Sequence, residues 1–413
     1  MRVLYLCHRL PYPPNKGEKI RAFHELKALS AAHEVDLFTL ADEAEDLMHQ
    51  ATLARFCRCV TVARVAPFWA RLRSLLGLGS GLPLTLPYFY SRQLDREIQI
   101  ALSSRSYDRI FVYCSSMAQY VEKVAGIPIL MDLVDVDSDK WFQYAPHKTF
   151  PLANVYRREG KRLRDYEKTM CEKFTCVLVT TEREARLVRE ISNATHVHVI
   201  PNGVDADFFQ PPEAPVESPT PTLMFMGDMS YFPNEQAAVL LALQVLPLVR
   251  QSVPQARFLI VGRNPSSEVL RLRSEEGVEV TGFVPDVRDS LARSHVLVAP
   301  FSIAAGIQNK ILEAMAYGLP VVGTARAIQG LVQEVAHLVE TGESPQELAA
   351  KVVGLLRDPQ RARHIGMEGR KRVSFYYRWD QAMNRLLELV EDPLRSDASK
   401  TVPVSVDCLA KSI

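Results

Sequence analysis

Short apolar runs separated by amphipathic segments make up the first half of the chain. Six runs rich in β-branched and apolar residues predict strands: Val3–Cys7, Val35–Leu40, Arg109–Cys114, Ile129–Leu133, Cys176–Thr180 and His196–Ile200. Between the first two runs, apolar residues recur at helical spacing across Lys19–Ala32. Strands that are apolar throughout and alternate with helices are typical of a parallel sheet covered on both faces. Residues 1–210 are therefore predicted to form a doubly wound α/β domain, Rossmann-like in plan.

A proline-rich segment interrupts this pattern once. Residues 211–221 contain five prolines, so they are predicted to form a linker rather than a helix or a central strand. The apolar runs then resume: Leu223–Met226, Phe258–Val261, Val278–Thr281, Val296–Ala299 and Pro320–Val322. Residues 222–375 are predicted to form a second Rossmann-like domain. An amphipathic helix within 376–392 is expected to pack back toward the first domain, and residues 393–413 are expected to be a disordered tail.

Composition indicates an ordinary soluble protein. The chain has 413 residues, 47% of them hydrophobic, and its 49 basic and 48 acidic side chains give a formal charge of +1. A nucleic-acid-binding protein normally carries a basic surplus, so no nucleic-acid partner is expected. No run reaches the roughly 18 apolar residues of a membrane span, and the first run is too short for a signal peptide. Seven scattered cysteines suggest neither disulfides nor zinc, which predicts a cytoplasmic protein.

The segment 47–94 is strongly basic. It contains six arginines and no acidic residue, beside apolar side chains such as Trp69 and Leu75. Such a composition fits a surface that lies on anionic lipid at the inner membrane. It also fits a loop that packs on its own domain with the arginines in solvent. Both interpretations stay open at the level of sequence.

The sharpest signal is a glycine-containing loop followed by a short helix. Gly306 follows a predicted strand and is expected to open a helix that ends at Gly318. Gly306, Lys310 and Glu313 stand at i, i+4 and i+7, which predicts one shared helix face. Free amides at a helix start, with a lysine one turn on, suit a pyrophosphate, and a glutamate further along can accept hydrogen bonds from a ribose. The alternative is a surface ion pair between Lys310 and Glu313.

Ligands of open parallel sheets bind beyond the carboxyl ends of the strands. In the second half, Gly227 and Arg263 follow the first two predicted strands as Gly306 follows the fourth. The three residues are therefore expected to line one crevice.

Aspartates cluster where the Ile129–Leu133 strand of the first half ends. They are Asp132, Asp135, Asp137 and Asp139, and an extended segment would direct the last three to one side. A carboxylate there can deprotonate or orient an acceptor hydroxyl, and Asp135, nearest the strand end, is favoured as a catalytic residue. A divalent-metal site and a helix cap at Asp137 or Ser138 are the alternatives. His8 and Cys114–Ser116 follow other strands and are further candidates at this edge.

Several motifs occur in an order that resembles a known family. They are residues 200–205 (Ile-Pro-Asn-Gly-Val-Asp), the Gly227 loop, Val261–Arg263, Gly282–Asp286 and Lys310–Val322. This order resembles the family 4 glycosyltransferases, which have the GT-B fold: two Rossmann-like domains facing across a cleft, with the nucleotide-sugar on the C-terminal one. Residues 11–18 and 131–141 resemble a subgroup, the sugar transferases of PEP-CTERM/exosortase-associated exopolysaccharide clusters. The resemblance covers about residues 1–392.

The resemblance implies roles for individual residues. Glu313 matches the second glutamate of the family's E-x7-E motif, which binds the nucleotide ribose, whereas Ala305 replaces the first. The family's basic pair after the Gly227 strand is absent, because Asp228–Tyr231 contains no base. The donor diphosphate is therefore expected to depend on Lys310 and Arg263. The other implied donor contacts are Gly17, Gly227, Phe283, Val284, Gly306, Ile307 and Gln308, with Phe283 and Val284 flanking the nucleobase.

The sequence thus predicts a glycosyltransferase that moves a sugar from a nucleotide-diphosphate donor to a polysaccharide or lipid-pyrophosphate-linked acceptor in exopolysaccharide biosynthesis. Asp135, Lys310 and Glu313 are its candidate catalytic residues. Retention of configuration and independence from metals and cofactors are implied by the resemblance alone. Two alternatives remain: a non-catalytic scaffold that binds nucleotide-sugar, and a GT-B-type epimerase or hydrolase that consumes donor without an acceptor.

Overall fold

The computed structural model describes residues 1–43, 45–79, 81–211 and 219–395. Residues 212–218, most of the predicted linker, and residues 396–413, most of the predicted tail, lie outside the described residues. The described residues form two parallel sheets, of seven and six strands, flanked by helices. The prediction of two doubly wound α/β sheets is therefore confirmed.

The N-terminal sheet has the strand order β3-β2-β1-β4-β5-β6-β7. Its strands are β1 Arg2–Cys7, β2 Glu34–Ala41, β3 Cys59–Arg64, β4 Arg109–Tyr113, β5 Ile129–Val134, β6 Cys176–Val179 and β7 Val197–Val199. In β1, Leu4 and Leu6 enter one apolar core and Val3 and Tyr5 the other, which is why the strand reads as a continuous apolar run. The strand order reverses between β1 and β4, so a topological switch point lies at their carboxyl ends.

Eight helices accompany this sheet in the described residues. They are α1 Gly17–Ala32, α2 Gln50–Leu53, α3 Pro67–Leu76, α4 Thr85–Tyr88, α5 Arg92–Ser104, α6 Asp137–Tyr144, α7 Leu152–Lys173 and α8 Glu182–Ile191. Short 3-10 turns cover Glu45–His49, Gly77–Gly79, Ser115–Tyr120 and Ala145–His147.

The C-terminal sheet repeats the plan in the order β10-β9-β8-β11-β12-β13. Its strands are β8 Thr222–Met226, β9 Arg257–Val261, β10 Val278–Gly282, β11 Val296–Ala299, β12 Val321–Gly323 and β13 Glu340–Thr341. Every pair of neighbouring strands described here is parallel. The equivalent switch point lies between β8 and β11.

Ten further helices are described in the C-terminal part. They are α9 Phe232–Leu240, α10 Leu246–Ser252, α11 Ser267–Arg271, α12 Arg288–Ala292, α13 Asn309–Tyr317, α14 Ala325–Ile328, α15 Gln333–Ala336, α16 Pro345–Arg357, α17 Pro359–Tyr376 and α18 Trp379–Glu391. A π turn, Leu241–Val245, joins α9 to α10, and a 3-10 turn covers Leu272–Ser274.

One continuous helix, Phe232–Ser252, is long and apolar enough to cross a membrane by length and composition, the single such case among the described residues. Half of the most apolar part of this helix is buried inside the protein. Ala238, Leu241 and Val245 lie in the core of the C-terminal domain. Packing against the sheet therefore accounts for the apolar composition of this helix.

The last helix, α18, returns to the N-terminal domain. A Cβ on Gly203 would lie 2.6 Å from the Trp379 ring and its backbone nitrogen, so the chain crosses itself closely where α18 begins. The Trp379 ring stacks on His24 of α1 with 4.2 Å between ring centroids. Leu386 and Leu389 are buried in the same core as β1. The two crossings of the chain between domains therefore meet at Gly203.

Two strands go beyond the sequence prediction. β3 is an edge strand that is only partly buried, so it lacks the continuous apolar run of the central strands. β13 has two residues, too few to give a periodic signal. Both lie at sheet edges, where burial imposes the weakest pattern on the sequence.

Candidate functional site

The loops at the carboxyl ends of the two sheets touch across a narrow cleft. A Cβ on Gly306, in the loop after β11, would lie 2.1 Å from Oδ1 of Asp135, which follows β5. The same atom would lie 3.1 Å from the hydroxyl of Thr180, which follows β6. Only a glycine fits this contact, and the contact brings the candidate catalytic carboxylate against the C-terminal domain.

In the described residues, two hydrogen bonds between side chains also join the domains across the cleft. The Asn202 amide nitrogen donates to Oδ1 of Asn309, 3.0 Å away, at the start of α13. The Tyr144 hydroxyl at the end of α6 donates to the Tyr231 hydroxyl, 2.8 Å away, in the Gly227 loop. None of these four residues was an expected site residue, because no local pattern in the sequence indicates a partner in the other domain.

Helix α13 starts later than the sequence suggests. It begins at Asn309 with Gln308 as its N-cap, so Gly306 lies in the preceding loop. Gly306 has a φ of +58°, in the left-handed region that favours glycine. The expectation that Gly306, Lys310 and Glu313 share one helix face is therefore wrong. Gly306 faces Asp135, whereas Lys310 reaches toward Gly227.

Lys310 is a half-buried ammonium with neutral neighbours. Its Nζ donates to Oδ1 of Asn234 at 2.6 Å and lies 4.6 and 4.7 Å from the ring centroids of Phe225 and Phe301. No carboxylate among the described residues forms an ion pair with it. Burial lowers the pKa of Lys310 to about 7, and the charge of Glu313 opposes that shift only partly. An anionic ligand would supply the missing counter-charge.

The glycine after β8 makes room for this lysine, and the glycine after β9 makes room for the backbone of Gly227. A Cβ on Gly227 would lie 3.0 Å from Lys310 Nζ and 2.7 Å from Asn234 Nδ2, and a Cβ on Gly262 would lie 1.7 Å from the Gly227 carbonyl oxygen. Asn234 lies in the first turn of α9, and its Nδ2 donates to the Asp228 carbonyl at 2.9 Å. Asn234 therefore holds Lys310 against the Gly227 loop.

Glu313 lies one helical turn beyond Lys310 on α13. Burial raises its pKa to about 7, with the charge of Lys310 acting in the opposite direction. The side chain makes no hydrogen bond to any described residue. A half-buried carboxylate without a protein donor suits a ligand that offers hydroxyl groups.

Arg263 is held by an acid of its own domain. Its Nε donates to Oδ2 of Asp228 at 3.0 Å. Although burial opposes it, hydrogen bonds from Ser230 and the charge of Arg263 lower the pKa of Asp228, so this carboxylate is ionised. One terminal nitrogen of Arg263 is buried without a partner in the described residues. Arg263 thus lies beside the Gly227 loop, where Asp228 neutralises much of the arginine's charge.

The other expected donor contacts are spread around this centre. Phe283 is exposed and Val284 packs partly on the C-terminal core. Ile307 is a core residue, and the Gln308 amide donates to the Ala305 carbonyl at 3.1 Å. The Ile307 side chain is therefore turned into the core rather than toward a ligand. Gly17 begins α1, and a Cβ there would lie 3.7 Å from Asn309 Nδ2, so the starts of α1 and α13 meet across the cleft.

Asp135 stands out among the four clustered aspartates. Its carboxylate lies 3.0 Å from Lys140 Nζ and accepts a hydrogen bond from Thr180 Oγ1 at 3.2 Å. Although burial opposes it, Asp135 and Asp137 raise the pKa of Lys140, which therefore stays charged. Lys140 is a site residue that the sequence analysis overlooked, although its position three residues after Asp137 on a helix is a usable signal.

The remaining aspartates have structural partners. Asp132 is fully buried against Arg21, and Asp139 pairs with Arg183 at 2.7 Å. Helix α6 begins at Asp137 with Val136 as its N-cap, so the expectations of an extended segment and of a cap at Asp137 or Ser138 are both wrong. The described residues contain no group of three His, Cys, Asp or Glu side chains that could hold a metal ion.

His8 is a buried, neutral residue at the switch point of the N-terminal sheet. Its ring stacks on Tyr113, with 5.7 Å between centroids, and meets Phe89 edge-on. Burial, and then the charges of Arg9 and Lys140, lower the pKa of His8 well below its ordinary value. Ser115 and Ser116 are also buried in the following turn.

The basic segment 47–94 shows an exposed apolar surface. In and after α3, the side chains of Phe68, Trp69, Leu72, Leu75, Leu78 and Leu82 are exposed, with Trp69 at 64%. Arg73 donates to the Pro87 carbonyl at 2.9 Å, and Arg158 of the basic helix α7 donates to the Leu78 carbonyl at 2.6 Å. The segment is thus tied to its own domain by some arginines while its apolar side chains stay in solvent.

Two surface cavities lie away from the cleft. One of about 630 Å³ is lined by residues such as Met1, Arg2 and Asp108 at the amino end of β1, opposite the switch point. The other, of about 440 Å³, is formed by α17 residues including Met367 and Phe375. Neither contains a residue of the candidate site, and the cleft contacts above locate the chemistry better than cavity size does.

Family models match both halves of the chain. Residues 17–203 match a glycosyl transferase 4-like domain, and residues 220–358 match the glycosyl transferases of group 1. A GDP-mannose-dependent alpha-(1-6)-phosphatidylinositol monomannoside mannosyltransferase of Mycobacterium tuberculosis is 29% identical over 239 residues, 51% of this chain and 60% of that protein. The phosphatidylinositol N-acetylglucosaminyltransferase gpi3 subunit of Schizosaccharomyces pombe is 30% identical over 167 residues, 39% of this chain and 34% of that protein. The chain therefore matches less than two thirds of the length of these relatives.

Solved structures with the same fold cover nearly the whole chain. Sucrose-phosphate synthase from Thermosynechococcus elongatus has a TM-score of 0.69 at 19% identity, covering 95% of this chain and 98% of that one. Anabaena Alr3699/HepE in complex with UDP and glucose has a TM-score of 0.66 at 16% identity, covering 95% and 99%. These similarities extend across both sheets, and each family model matches one of them. The chain thus belongs to the family 4 type of glycosyltransferases, with the GT-B fold.

Proposed function

We propose that the protein transfers a sugar from a nucleotide-diphosphate donor to a polysaccharide or lipid-linked acceptor. The observation that carries this proposal is the charge arrangement on α13. Lys310 has no carboxylate within ion-pair distance in the described residues, and Glu313 has no hydrogen-bond donor there. A nucleotide diphosphate satisfies both, because its phosphates supply negative charge and its ribose supplies hydroxyl donors.

The names of similar proteins support this class of donor. The mycobacterial mannosyltransferase is described as GDP-mannose-dependent, and the HepE structures contain UDP or UDP-glucose. The HepE structures share the overall fold of this chain, with a TM-score of 0.66. The base and the sugar that this chain selects are not specified by Lys310 and Glu313, which would contact only the phosphates and the ribose.

In the proposed reaction, the bond between the anomeric carbon and the diphosphate oxygen breaks, and a bond to the acceptor oxygen forms. Negative charge develops on the leaving diphosphate, where Lys310 and the free terminal nitrogen of Arg263 would stabilise it. The acceptor hydroxyl loses its proton, and Asp135, across the cleft, is the proposed group that orients the hydroxyl and takes the proton. Lys140 and Thr180 hold that carboxylate in place. Retention of configuration and metal independence rest on the family resemblance.

We also propose that the protein acts at the cytoplasmic face of a membrane in exopolysaccharide biosynthesis. The exposed apolar side chains of α3, with basic residues around them, suit the boundary between lipid headgroups and acyl chains. A lipid-pyrophosphate-linked acceptor would then approach from the N-terminal domain, which carries Asp135. The motifs at residues 11–18 and 131–141 connect the chain to this pathway class by resemblance alone.

Ligand-dependent melting tests the donor proposal. A ligand that binds only the native state increases the free energy of unfolding, by about 2.7 kcal/mol at a concentration of one hundred times Kd. The melting temperature rises accordingly. In a panel of nucleotides, nucleoside diphosphates and nucleotide-diphosphate sugars should raise the melting temperature, nucleoside monophosphates should not, and Lys310→Met should remove the shift. If no member of the panel stabilises the wild-type protein, the proposed donor class is wrong.

A further inference from the structure

A fully buried ion pair lies beneath the site in the N-terminal domain. Arg21 of α1 is 1% exposed, and its NH2 lies 2.6 Å from Oδ2 of the buried Asp132 at the end of β5. Glu25 lies 3.0 Å from the same guanidinium, but burial and the charge of Asp132 raise its pKa well above the ordinary range. This shift favours the neutral form of Glu25, which leaves Arg21 and Asp132 as a charge-balanced pair.

Arg21 also holds the segment that leads out of the N-terminal sheet. Its NH1 donates to the Ile200 carbonyl at 2.9 Å and to Oδ1 of Asn202 at 3.2 Å. A guanidinium can only donate, so the Asn202 side chain must turn its oxygen toward Arg21 and its nitrogen outward. That nitrogen donates to Oδ1 of Asn309 in the other domain at 3.0 Å. The orientation of the interdomain hydrogen bond is therefore set from inside the N-terminal core.

We propose that Arg21, Asn202 and Asn309 form a positioning chain that fixes α13 against the N-terminal domain. Asn202 is buried next to Gly203, where the two crossings between domains meet, and Asn309 directly precedes Lys310. This positioning chain thereby sets the distance between Asp135 and the donor that α13 holds. This inference rests on the proposed function, but the geometry it describes is independent of which sugar is moved.

The hydrogen bond between Asn202 and Asn309 affects the reaction by aligning the two domains and not by binding the donor. Lys310 and Glu313 stay on α13 whether or not Asn202 holds it, so the donor keeps its contacts. A small misalignment of reacting groups costs far more in rate than in affinity. Asn202→Ala should therefore lower kcat about tenfold, the effect of one neutral hydrogen bond, and change the Kd for nucleoside diphosphate less than about twofold.

A double-mutant cycle tests whether Asn202 and Asn309 act through one shared hydrogen bond or have two independent roles. Asn202→Ala and Asn309→Ala should each lower kcat about tenfold. The kcat of the double variant should be no lower than that of the slower single variant. The matched control is Tyr231→Phe, which removes the hydrogen bond between the Tyr144 and Tyr231 hydroxyls and leaves the asparagines intact. Its effect should multiply with that of Asn202→Ala. Multiplying effects of the two asparagine changes would overturn the proposal.

Hydrogen exchange gives a readout that needs no activity. In Asn202→Ala, backbone amides in segments 200–205 and 306–313 should exchange several-fold faster, and the rest of the protein should exchange as in wild type. Tyr231→Phe should leave both segments at wild-type rates. Unchanged exchange in the variant overturns the positioning chain even if the protein is active. Faster exchange in a protein that binds no nucleotide sustains the chain while the proposed function fails.

Discussion

Replacing Lys310 by methionine should have opposite effects on stability and on catalysis. Methionine retains the aliphatic packing between Phe225 and Phe301 and removes only the charge. The ammonium is poorly solvated and lacks an anionic partner in the described residues, so we expect the ligand-free variant to be about 1–2 kcal/mol more stable near neutral pH. The same charge faces the leaving diphosphate, so kcat/KM should fall about two to three orders of magnitude, roughly 3–4 kcal/mol of transition-state stabilisation.

The pH dependence of Lys310 has a definite sign. Its pKa in the free folded protein is about 7, lowered by burial from an ordinary value of 10.5. Folding therefore favours the neutral amine, and this group reduces the free energy of unfolding progressively as pH falls from about 10.5 to about 7. An anionic ligand favours the ammonium. Affinity for a nucleoside diphosphate should therefore be highest below pH 7, and it should fall by up to tenfold for each pH unit above 7.

Calorimetry can measure this linkage directly. At pH 8, titrations of a nucleoside diphosphate in two buffers with different ionisation enthalpies should show uptake of nearly one proton by the wild-type protein. The Lys310→Met variant should take up close to none. In the wild-type protein the pKa of Glu313 is about 7, so this carboxyl group is largely ionised at pH 8 and contributes little to the proton uptake there. Equal proton uptake, or an unchanged kcat/KM, would refute the placement of the diphosphate beside Lys310.

Four further changes probe the rest of the account. Glu313→Gln should weaken nucleotide binding by about 2–3 kcal/mol without lowering the melting temperature, because it removes a charged acceptor for the ribose; wild-type kinetics would return Glu313 to a surface role. Arg263→Met should lower kcat/KM about tenfold or less, since Asp228 already neutralises part of its charge; a larger loss than in Lys310→Met would move the diphosphate toward Arg263. Asp135→Asn should lower kcat at least a hundredfold at unchanged nucleotide Kd, and a rise in Kd alone would argue against a role in proton transfer. In vesicle flotation, binding should require anionic lipid, decline with salt and weaken in Trp69→Ser; equal recovery on neutral vesicles would remove the electrostatic part of the membrane proposal.

The strand framework could be predicted because buried parallel strands impose a continuous apolar run. The run Val3–Cys7 and its counterparts in both halves mark central strands, and the glycine at position 318 ends α13 as expected, with φ of +86°. The edge strands β3 and β13 escape this signal because their environment is half solvent or because they are too short. Periodicity reports burial, so it is silent where burial is incomplete.

The candidate site shows where local patterns fail. Lys310 and Glu313 share α13 because their spacing is helical, but Gly306 does not, since the length of a loop before a helix leaves no periodic trace. Asp137 and Asp139 were expected in an extended segment and lie in α6, because a helix start and a strand end can have the same composition. The contacts of Asn202 with Asn309 and of Tyr144 with Tyr231 depend on how two domains meet, which no local sequence window contains.

The most direct test of the central claim is transfer of a labelled sugar. Purified protein would be incubated with each member of a nucleotide-sugar panel, with and without membrane extract, and both the label in the lipid or glycan fraction and the released nucleoside diphosphate would be measured. The account predicts that one donor is consumed only when the extract is present and that label and nucleoside diphosphate appear in equal amounts. Glu313→Gln and Lys310→Met should lower the rates of appearance of both together. Equal consumption of donor without extract would indicate a hydrolase or epimerase, and donor binding without any transfer would contradict the claim that this protein is a catalytic glycosyltransferase.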